Sequence, residues 1–302
     1  MQDHSQPERH VMSSYSRART RMVDVQIARR GVRDEDVLQA MRSVPREVFV
    51  EPGFVEFAYE DRPLPIGHGQ TISQPYIVAL MIEAAELGRR NRVLEVGAGS
   101  GYAAAVASRI AEKVYAIERH PSLGDAARRR FAQLGYGHIE LRVGDGTRGW
   151  PEVAPFDAIL VSAGSPEVPQ ALKKQLTIGG RLVIPVGDAH EQRLLKLTRR
   201  GECDYEKEEC GAVRFVPLIG EQGWVGDDRR PTSDHLFGQC HGKSVPVPNP
   251  GTSEPLPAIN DQVGGLRSRC TLWRKRLPFP VKRASEGTVE RSVPVQAREQ
   301  EQ

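Results

Sequence analysis

From Arg92 onward, the chain alternates between short apolar runs and longer stretches that suit helices. Short runs of Val, Ile and Leu separated by helices are typical of a mostly parallel sheet that is covered on both faces. The sequence therefore predicts an α/β fold with a doubly wound, mostly parallel sheet. The predicted strands are 93–96, 113–118, 139–143, 157–162 and 181–186, with helical spacers at 101–111, 121–134 and 166–176, and two better-alternating runs, 193–199 and 212–220, as antiparallel strands that finish the sheet.

The segment before this pattern predicts helices and one long irregular loop. Residues 14–31 are loosely periodic, and Gly31 can supply a left-handed stop. A second helix starts at Asp34 and ends before Pro45. The stretch 48–75 is rich in Pro and Gly, and a long irregular loop in a compact domain is often functional. A third helix is predicted from Pro75 to about Leu87, with Ser73 or Gln74 as its cap.

Charge and proline content divide the chain into three parts. Residues 225–302 hold 12 Lys+Arg, 9 Asp+Glu and 9 of the 22 prolines, which leaves 30 charges of each sign in 1–224. A proline-dense segment without an apolar period cannot offset its ordering entropy by burial. We expect a flexible N-terminus over 1–18, one folded domain over 19–224 whose ligand-binding core starts near 75, and a disordered tail over 225–302.

Composition also limits the classes of partner and site. No run approaches the roughly 18 uninterrupted apolar residues of a membrane span, and the polar start lacks the apolar region of a secretory signal. The four cysteines are scattered and form no C-x-x-C pattern, so neither a disulfide scaffold nor a metal site is predicted. The neutral body speaks against a nucleic-acid partner. We expect a cytoplasmic monomer without metal, nucleic-acid or membrane partners.

A glycine-rich turn follows the first predicted strand. Gly97, Gly99 and Gly101 lie between strand 93–96 and a helix, where glycines let backbone N–H groups approach a ligand. Tyr102 stands where a dinucleotide fingerprint requires a glycine. The G-x-G-x-G form preceded by Glu95 instead resembles the first motif of S-adenosylmethionine methyltransferases. A tight turn without a ligand is the alternative interpretation.

Acidic residues follow the next two strands. Glu118 lies 21 residues past Gly97, close to the roughly 20-residue offset of a carboxylate that binds ribose hydroxyls. Asp145 and Gly146 follow the third strand, at the carboxyl edge where open α/β sheets bind ligands. Taken singly, Glu118 could be a solvated surface charge and Asp145–Gly146 an ordinary turn. Together with the glycine turn they predict a cofactor site.

Over about residues 19–224 the chain resembles the protein-L-isoaspartate O-methyltransferase family. The resemblance rests on VPREVFV (44–50), GQTISQP (69–75), VLEVGAGSGY (93–102), GDGTRGW (144–150) and FVPLIG (215–220), of which GQTISQP is the most specific. It implies a Rossmann-like fold and methyl transfer from S-adenosylmethionine to the free carboxylate of L-isoaspartyl residues in damaged proteins and peptides. The ester then closes to a succinimide, and its hydrolysis returns some normal aspartate, so the implied activity is repair.

The same resemblance implies roles for individual residues. Ser73 is the implied active-site serine, Thr71 and Ile72 flank the implied methyl-transfer site, and the implied cofactor contacts are Gly97, Gly99, Glu118, Asp145 and Gly146. A carboxylate is already ionised at neutral pH, so the reaction needs placement more than a strong base. The alternative role of Ser73 is a helix cap, and His68 is interpreted as a loop residue.

Two other functions stay open at this point. One is an S-adenosylmethionine methyltransferase that acts on another substrate, such as a small molecule or a nucleic acid. The other is a catalytically silent binding protein that retains the glycine turn and uses the tail as an interaction arm.

Overall fold

The computed structural model describes residues 6–188 and 190–226, and side chains only from residue 14 onward. The described residues belong to the unit Met1–Cys240. The predicted tail lies outside the described residues except for 225 and 226, and the first five residues of the predicted flexible N-terminus lie outside them as well.

The helices and strands follow the predicted order, except that the stretch 48–75, predicted to be an irregular loop, contains two short strands at 64–67 and 70–72. The helices are α1 Gln6–Arg21, α2 Glu35–Ser43, α3 Pro75–Ala84, α4 Tyr102–Ala107, α5 Pro121–Gln133 and α6 Gln170–Lys174. The strands are β1 Leu64–Gly67, β2 Gln70–Ile72, β3 Arg92–Val96, β4 Lys113–Glu118, β5 Ile139–Val143, β6 Phe156–Val161, β7 Leu176–Gly187, β8 Gln192–Arg199 and β9 Tyr205–Val213.

Seven strands form one sheet in the order β5-β4-β3-β6-β7-β8-β9, and β1 pairs with β2 as a separate antiparallel hairpin. The pairs among β3 to β7 are parallel, while β8 and β9 are antiparallel, which confirms the predicted fold class. From the central β3 the chain builds outward to β4 and β5 and then returns to β6 on the other side. This switch point is where open α/β sheets bind ligands, at the carboxyl ends of the strands.

Both faces of the central strands β3, β4 and β6 are buried, as their composition predicts. Val93 belongs to the hydrophobic cluster that includes residues of α2 to α5, whereas its neighbour Leu94 belongs to the cluster that includes Leu172 of α6. Successive strand residues point to opposite faces, so adjacent apolar residues serve two separate cores. Each fully buried residue of this type contributes about 1.5–3 kcal/mol, which anchors the β3 end that carries the glycine turn.

The N-terminal helices begin and end where local signals place them, with one difference. The Asp34 side chain accepts a hydrogen bond from the Val37 amide at 3.1 Å and caps α2. Gly31 adopts φ 113 and terminates the preceding helical run, as predicted. That run begins at Gln6, earlier than the predicted start at 14, and continues past Arg21 as π- and 3-10-helical turns.

The last predicted strand is wrong. The edge strand is β9, Tyr205–Val213, which overlaps the predicted 212–220 only at its end. Over residues 214–226, the described part of the chain that follows β9, strand pairing consists of isolated bridges, Gly164 with Pro217 and Ile219 with Trp224. Many side chains of the edge strand are charged and exposed to solvent. The strand therefore lacks the apolar period from which a strand is predicted. The apolar run at 215–220 serves a cavity instead, as described below.

Candidate active site

The glycine turn after β3 has a backbone that requires glycine. Gly97, Gly99 and Gly101 all have positive φ, at 85, 54 and 91, a region that side chains rarely adopt. A Cβ on Gly101 would lie 2.6 Å from Phe131 Cζ, so this glycine lets α4 pack against α5. A Cβ on Gly99 would lie 2.9 Å from Ile66 Cδ1 of the β1–β2 hairpin. The hairpin therefore lies directly over the turn.

Glu118 ends β4 beside this turn and is buried, with 4% of its surface exposed. Its Oε2 accepts a hydrogen bond from the Gly99 amide at 2.7 Å, and its Oε1 accepts one from the His120 amide at 2.9 Å. A carboxylate has about four lone-pair sites, so further hydroxyl donors can bind after both amides. Glu118 is thus held at the cavity wall, and the interpretation as a solvated surface charge is wrong.

A cavity lies at the carboxyl ends of β3 and β4, and we call it the glycine-loop cavity. Gly97, Gly99, Glu118 and Gly146 line it together. Its remaining walls come from Ile66, Gln70 and Thr71 of the hairpin, from the ends of β3, β4 and β6, and from 216–219. Four of the five residues predicted to contact the cofactor therefore share one cavity, and the apolar run 216–219 forms one side of it.

A second cavity adjoins the first on the side of the TIS sequence, and we call it the Ser73 cavity. Thr71, Ile72 and Ser73 line it, as do Glu95 and Tyr102. The two cavities share wall residues from the hairpin, the glycine turn and the end of β6, namely Thr71, Gly97, Gly99 and Ser162. Of the two residues predicted to flank the methyl-transfer site, Thr71 therefore lies where the two cavities meet, and Ile72 lines the Ser73 cavity.

Ser73 is half-buried at the start of α3 but does not cap it. Gln74 is the N-cap residue of α3, and no side chain caps this helix end. The Ser73 carbonyl accepts a hydrogen bond from Arg46 Nη2 at 2.8 Å. Its hydroxyl has no hydrogen-bond partner within 6–188 and 190–226. The interpretation of Ser73 as a helix cap is therefore wrong, and its hydroxyl is available in the cavity.

Glu95 is a further candidate functional residue. The sequence analysis named it only as the acidic residue that precedes the glycine turn. Its side chain is 1% exposed, Oε1 accepts a hydrogen bond from Ser162 Oγ at 3.4 Å, and Oε2 has no partner in the described part of the chain. Burial, with a contribution from the nearby charge of Glu118, raises the pKa of Glu95 to about 8. The wall of the Ser73 cavity thus carries a carboxyl group that is mostly protonated at neutral pH.

Asp145 is directed toward the chain's own backbone. Its Oδ1 accepts hydrogen bonds from the Thr147 amide at 2.8 Å and hydroxyl at 2.7 Å, and its Oδ2 accepts one from the Glu221 amide at 2.9 Å. Burial opposes ionisation, but these bonds outweigh it and hold the pKa of Asp145 below its usual value. The carboxylate fastens the wall segment beyond 216–219 to the turn that presents Gly146. A direct cofactor contact by Asp145 stays a prediction.

His68 lies at the tip of the β1–β2 hairpin with φ 52. Its ring stacks on His120 with 5.1 Å between centroids, and its Nε2 lies 2.6 Å from Ser122 Oγ. These contacts attach the hairpin tip to the segment that follows β4, outside both cavities. This position agrees with the interpretation as a loop residue.

Within the described residues, no group of three or more His, Cys, Asp or Glu side chains is arranged to hold a metal ion. In the same part of the chain, no helix has the length and apolar character needed to cross a membrane.

Residues 17–223 match the sequence profile of the family Protein-L-isoaspartate(D-aspartate) O-methyltransferase. The chain belongs to this family. It is 57% identical over 223 residues to protein-L-isoaspartate O-methyltransferase 1 of Rhodopseudomonas palustris (strain HaA2), covering 74% of this chain and 91% of that protein. It is 62% identical over 202 residues to the enzyme of Methylorubrum extorquens (strain PA1), covering 67% of this chain and 88% of that protein.

Solved structures agree with this assignment. A protein-L-isoaspartate O-methyltransferase superposes with a TM-score of 0.62 at 30% identity, covering 68% of this chain and 67% of that chain. A second, described as a putative protein-L-isoaspartate O-methyltransferase from Plasmodium falciparum in complex with S-adenosyl-L-homocysteine, gives 0.59 at 26% identity, covering 67% of this chain and 98% of that chain. The predicted family, fold class and activity are confirmed: the chain is an S-adenosylmethionine-dependent methyltransferase of L-isoaspartyl residues.

Proposed function

We propose that the two adjoining cavities divide the reaction between them. The glycine-loop cavity holds S-adenosylmethionine, and the Ser73 cavity holds the isoaspartyl carboxylate of a damaged protein or peptide. The observation that carries this proposal is the shared wall at Thr71, Gly97, Gly99 and Ser162, because methyl transfer requires the two ligands to meet.

The residues of the glycine-loop cavity fit the cofactor. The two amides bonded to Glu118 fix its carboxylate at the wall, where it can accept ribose hydroxyls. Gly146 lets the backbone of this turn lie directly against Val96 at the cavity wall, since a Cβ on it would lie 2.4 Å from Val96 Cγ1. When bound, S-adenosylmethionine supplies an electrophilic methyl group on a cationic sulfonium.

The Ser73 cavity contributes placement rather than proton transfer. The substrate carboxylate, with an ordinary pKa near 4, is already ionised at neutral pH. The Ser73 hydroxyl can donate a hydrogen bond to one carboxylate oxygen and orient the other without adding a competing charge. Thr71 and Ile72 place this hydroxyl beside the shared wall, where exclusion of water favours a step that neutralises two opposite charges.

The proposed macromolecular substrates are proteins and peptides that contain isoaspartyl residues, and methylation initiates their repair. We also propose a cytoplasmic location, because the scattered cysteines do not suggest a disulfide scaffold. Absence of nucleic-acid and membrane partners, and a monomeric state, stay predictions.

The test compares Ser73→Ala with Ser43→Ala, the same substitution outside both cavities. A hydrogen bond to a charged group is worth about 1.5–3 kcal/mol, so Ser73→Ala should lower turnover of an isoaspartyl peptide about 10- to 150-fold. Its affinity for S-adenosylhomocysteine and its melting temperature should match those of Ser43→Ala. The aspartyl twin of the peptide serves as the substrate control.

Two results would contradict the proposal. Equal methylation of the isoaspartyl and aspartyl peptides by the wild type would contradict the substrate assignment. Wild-type turnover in Ser73→Ala would remove Ser73 from the site and leave the family activity without its proposed orienting group.

A further inference from the structure

Arg46 is a charged side chain buried completely behind the Ser73 cavity. It is 0% exposed. Its Nε donates a hydrogen bond to the Ala58 carbonyl at 2.8 Å, and its Nη2 donates one to the Ser73 carbonyl at 2.8 Å. Its Nη1 has no partner among the described residues. Burial lowers the pKa of Arg46, but a guanidinium stays ionised in proteins, so its positive charge persists inside the fold.

No acceptor of Arg46 neutralises this charge. Its two carbonyl acceptors are uncharged, as is the neighbouring Tyr102 side chain that also interacts with it, and the acidic residue that acts on it at longer range is Asp61. Asp61 itself forms an ion pair with Arg30 and accepts a hydrogen bond from the Tyr76 amide at 2.9 Å. The field of Arg46 is therefore not cancelled by a direct ion pair and extends into its surroundings.

Tyr102 connects Arg46 to the cavity. The guanidinium carbon lies 4.7 Å from the centroid of the Tyr102 ring, and this ring is 1% exposed and lines the Ser73 cavity. Burial raises the pKa of Tyr102 to about 12, so the ring is neutral at physiological pH. The charge of Arg46 thus lies behind a neutral wall of a low-dielectric cavity, where electrostatic effects are larger than in water.

A buried unpaired charge costs several kcal/mol of desolvation, and uncharged side chains of similar size often replace such groups without loss of stability. A stabilising role alone is therefore a weak explanation for Arg46. Its contacts favour a role in the reaction, because one hydrogen bond fixes the backbone of Ser73 and the charge suits an anionic ligand.

We propose that Arg46 is a positioning residue for the methyl acceptor: it fixes Ser73 through the Ser73 carbonyl and makes the Ser73 cavity selective for a carboxylate over a neutral amide. The inference rests on the proposed function of the two cavities. It adds the residue that sets the charge preference of the acceptor site.

The first experiment is a double-mutant cycle of Arg46→Met and Ser73→Ala. Arg46→Met should lower kcat/KM for an isoaspartyl peptide about 10- to 100-fold while the dissociation constant of S-adenosylhomocysteine stays unchanged. In the Ser73→Ala background, the same change should have a clearly smaller effect, because one residue acts through the other. Arg46→Lys keeps the positive charge but cannot reproduce both hydrogen bonds to the Ala58 and Ser73 carbonyls, so its kcat/KM should lie between those of the wild type and Arg46→Met.

A merely structural role gives a different pattern. Arg46→Met would then weaken S-adenosylhomocysteine binding as much as peptide methylation, and its effect would multiply with that of Ser73→Ala. Either result overturns the inference. If wild-type methylation and the Ser73→Ala loss are as proposed, the proposed function stands even when Arg46 fails this test.

The second experiment measures charge selectivity, and its comparison on the wild type does not depend on a variant that folds. An isoaspartyl peptide and its isoasparaginyl twin, which carries a neutral amide, compete for the complex with S-adenosylhomocysteine. The carboxylate should bind at least about 10-fold more tightly, and Arg46→Lys should retain this preference whereas Arg46→Met loses it. Equal affinity of the two peptides for the wild type overturns the inference.

Discussion

Replacing Glu95 by Gln should change how folding stability depends on pH. Burial raises the pKa of this carboxyl from its usual 4.5 to about 8 in the folded chain. Between these two values the unfolded chain loses the Glu95 proton, whereas the folded chain keeps it. The contribution of Glu95 to stability is therefore complete below pH 4.5 and is lost progressively as the pH rises toward 8. Glutamine does not titrate, so the variant lacks this loss.

The size of the effect follows from the same two values. One pKa unit corresponds to 1.36 kcal/mol, so the difference between 4.5 and about 8 corresponds to roughly 5 kcal/mol across the full window. Stability of small domains is of order 5–15 kcal/mol, so a change of this size is easily measured. Most of this change in relative stability should develop between pH 5 and 8, and the difference between the two proteins should stay constant above pH 8.

Urea unfolding of the cofactor-free wild type and Glu95→Gln at several pH values from 5 to 9 measures this difference directly. Contributions of all other groups cancel between the two proteins, so the stability of the variant relative to the wild type should rise with pH. The matched control is Glu56→Gln, since Glu56 is exposed. If the difference between the unfolding free energies of the wild type and Glu95→Gln does not change with pH across this range, Glu95 does not carry the buried proton and the reasoning fails.

Two further changes test the cofactor side of the site. Glu118→Gln keeps the shape of the side chain but leaves one terminal amide N–H₂ facing a backbone donor, so affinity for S-adenosylhomocysteine should fall about 10- to 150-fold; an unchanged dissociation constant by calorimetry in the folded variant would contradict this. A chain that ends at Trp224 should retain the melting temperature and the methyl-transfer activity, because the Trp224 indole N–H donates a hydrogen bond to the Gly164 carbonyl at 3.0 Å and needs no later residue. A chain that ends at Arg214 should lose activity, because it lacks the cavity wall 216–219. Failure of the longer chain to fold or to methylate would show that residues beyond 224 contribute to the domain.

The elements predicted best are those fixed by local rules. The boundaries of β4 and β5 match the prediction. β4 is apolar and buried as an inner strand of a covered sheet, whereas β5 alternates apolar and charged residues at the edge of the sheet. The glycine turn and the position of Glu118 follow as well, since parallel strands bring successive carboxyl ends to one edge. The TIS sequence lies beside that edge because the hairpin that carries it packs on Gly99.

The features missed depend on contacts between distant parts of the chain. The run 215–220 is apolar because part of it lines a cavity. The sequence pattern alone cannot distinguish an apolar run that lines a cavity from one that is buried in a sheet. Local signals leave Ser73 and Gln74 as alternatives for the N-cap position of α3, and the structure places Gln74 there. The burial of Arg46 depends on Ala58, Ser73 and Tyr102, which lie 12 to 56 residues further along the sequence, so no local pattern indicates it.

Polar groups without partners in or behind the Ser73 cavity bear on what the site binds. Buried polar groups in folded proteins are almost always hydrogen-bonded, because leaving one unpaired costs about 1–3 kcal/mol. Within the described residues, Glu95 Oε2 and Arg46 Nη1 are buried without partners, and the half-buried Ser73 hydroxyl also has none. The three groups include a carboxyl group, a cation and a hydroxyl donor, so an apolar ligand would leave all of them unpaired. A ligand with a carboxylate can accept from Ser73 and from protonated Glu95, which pairs these two groups, and its negative charge is in addition favoured by the field of Arg46 behind the cavity wall.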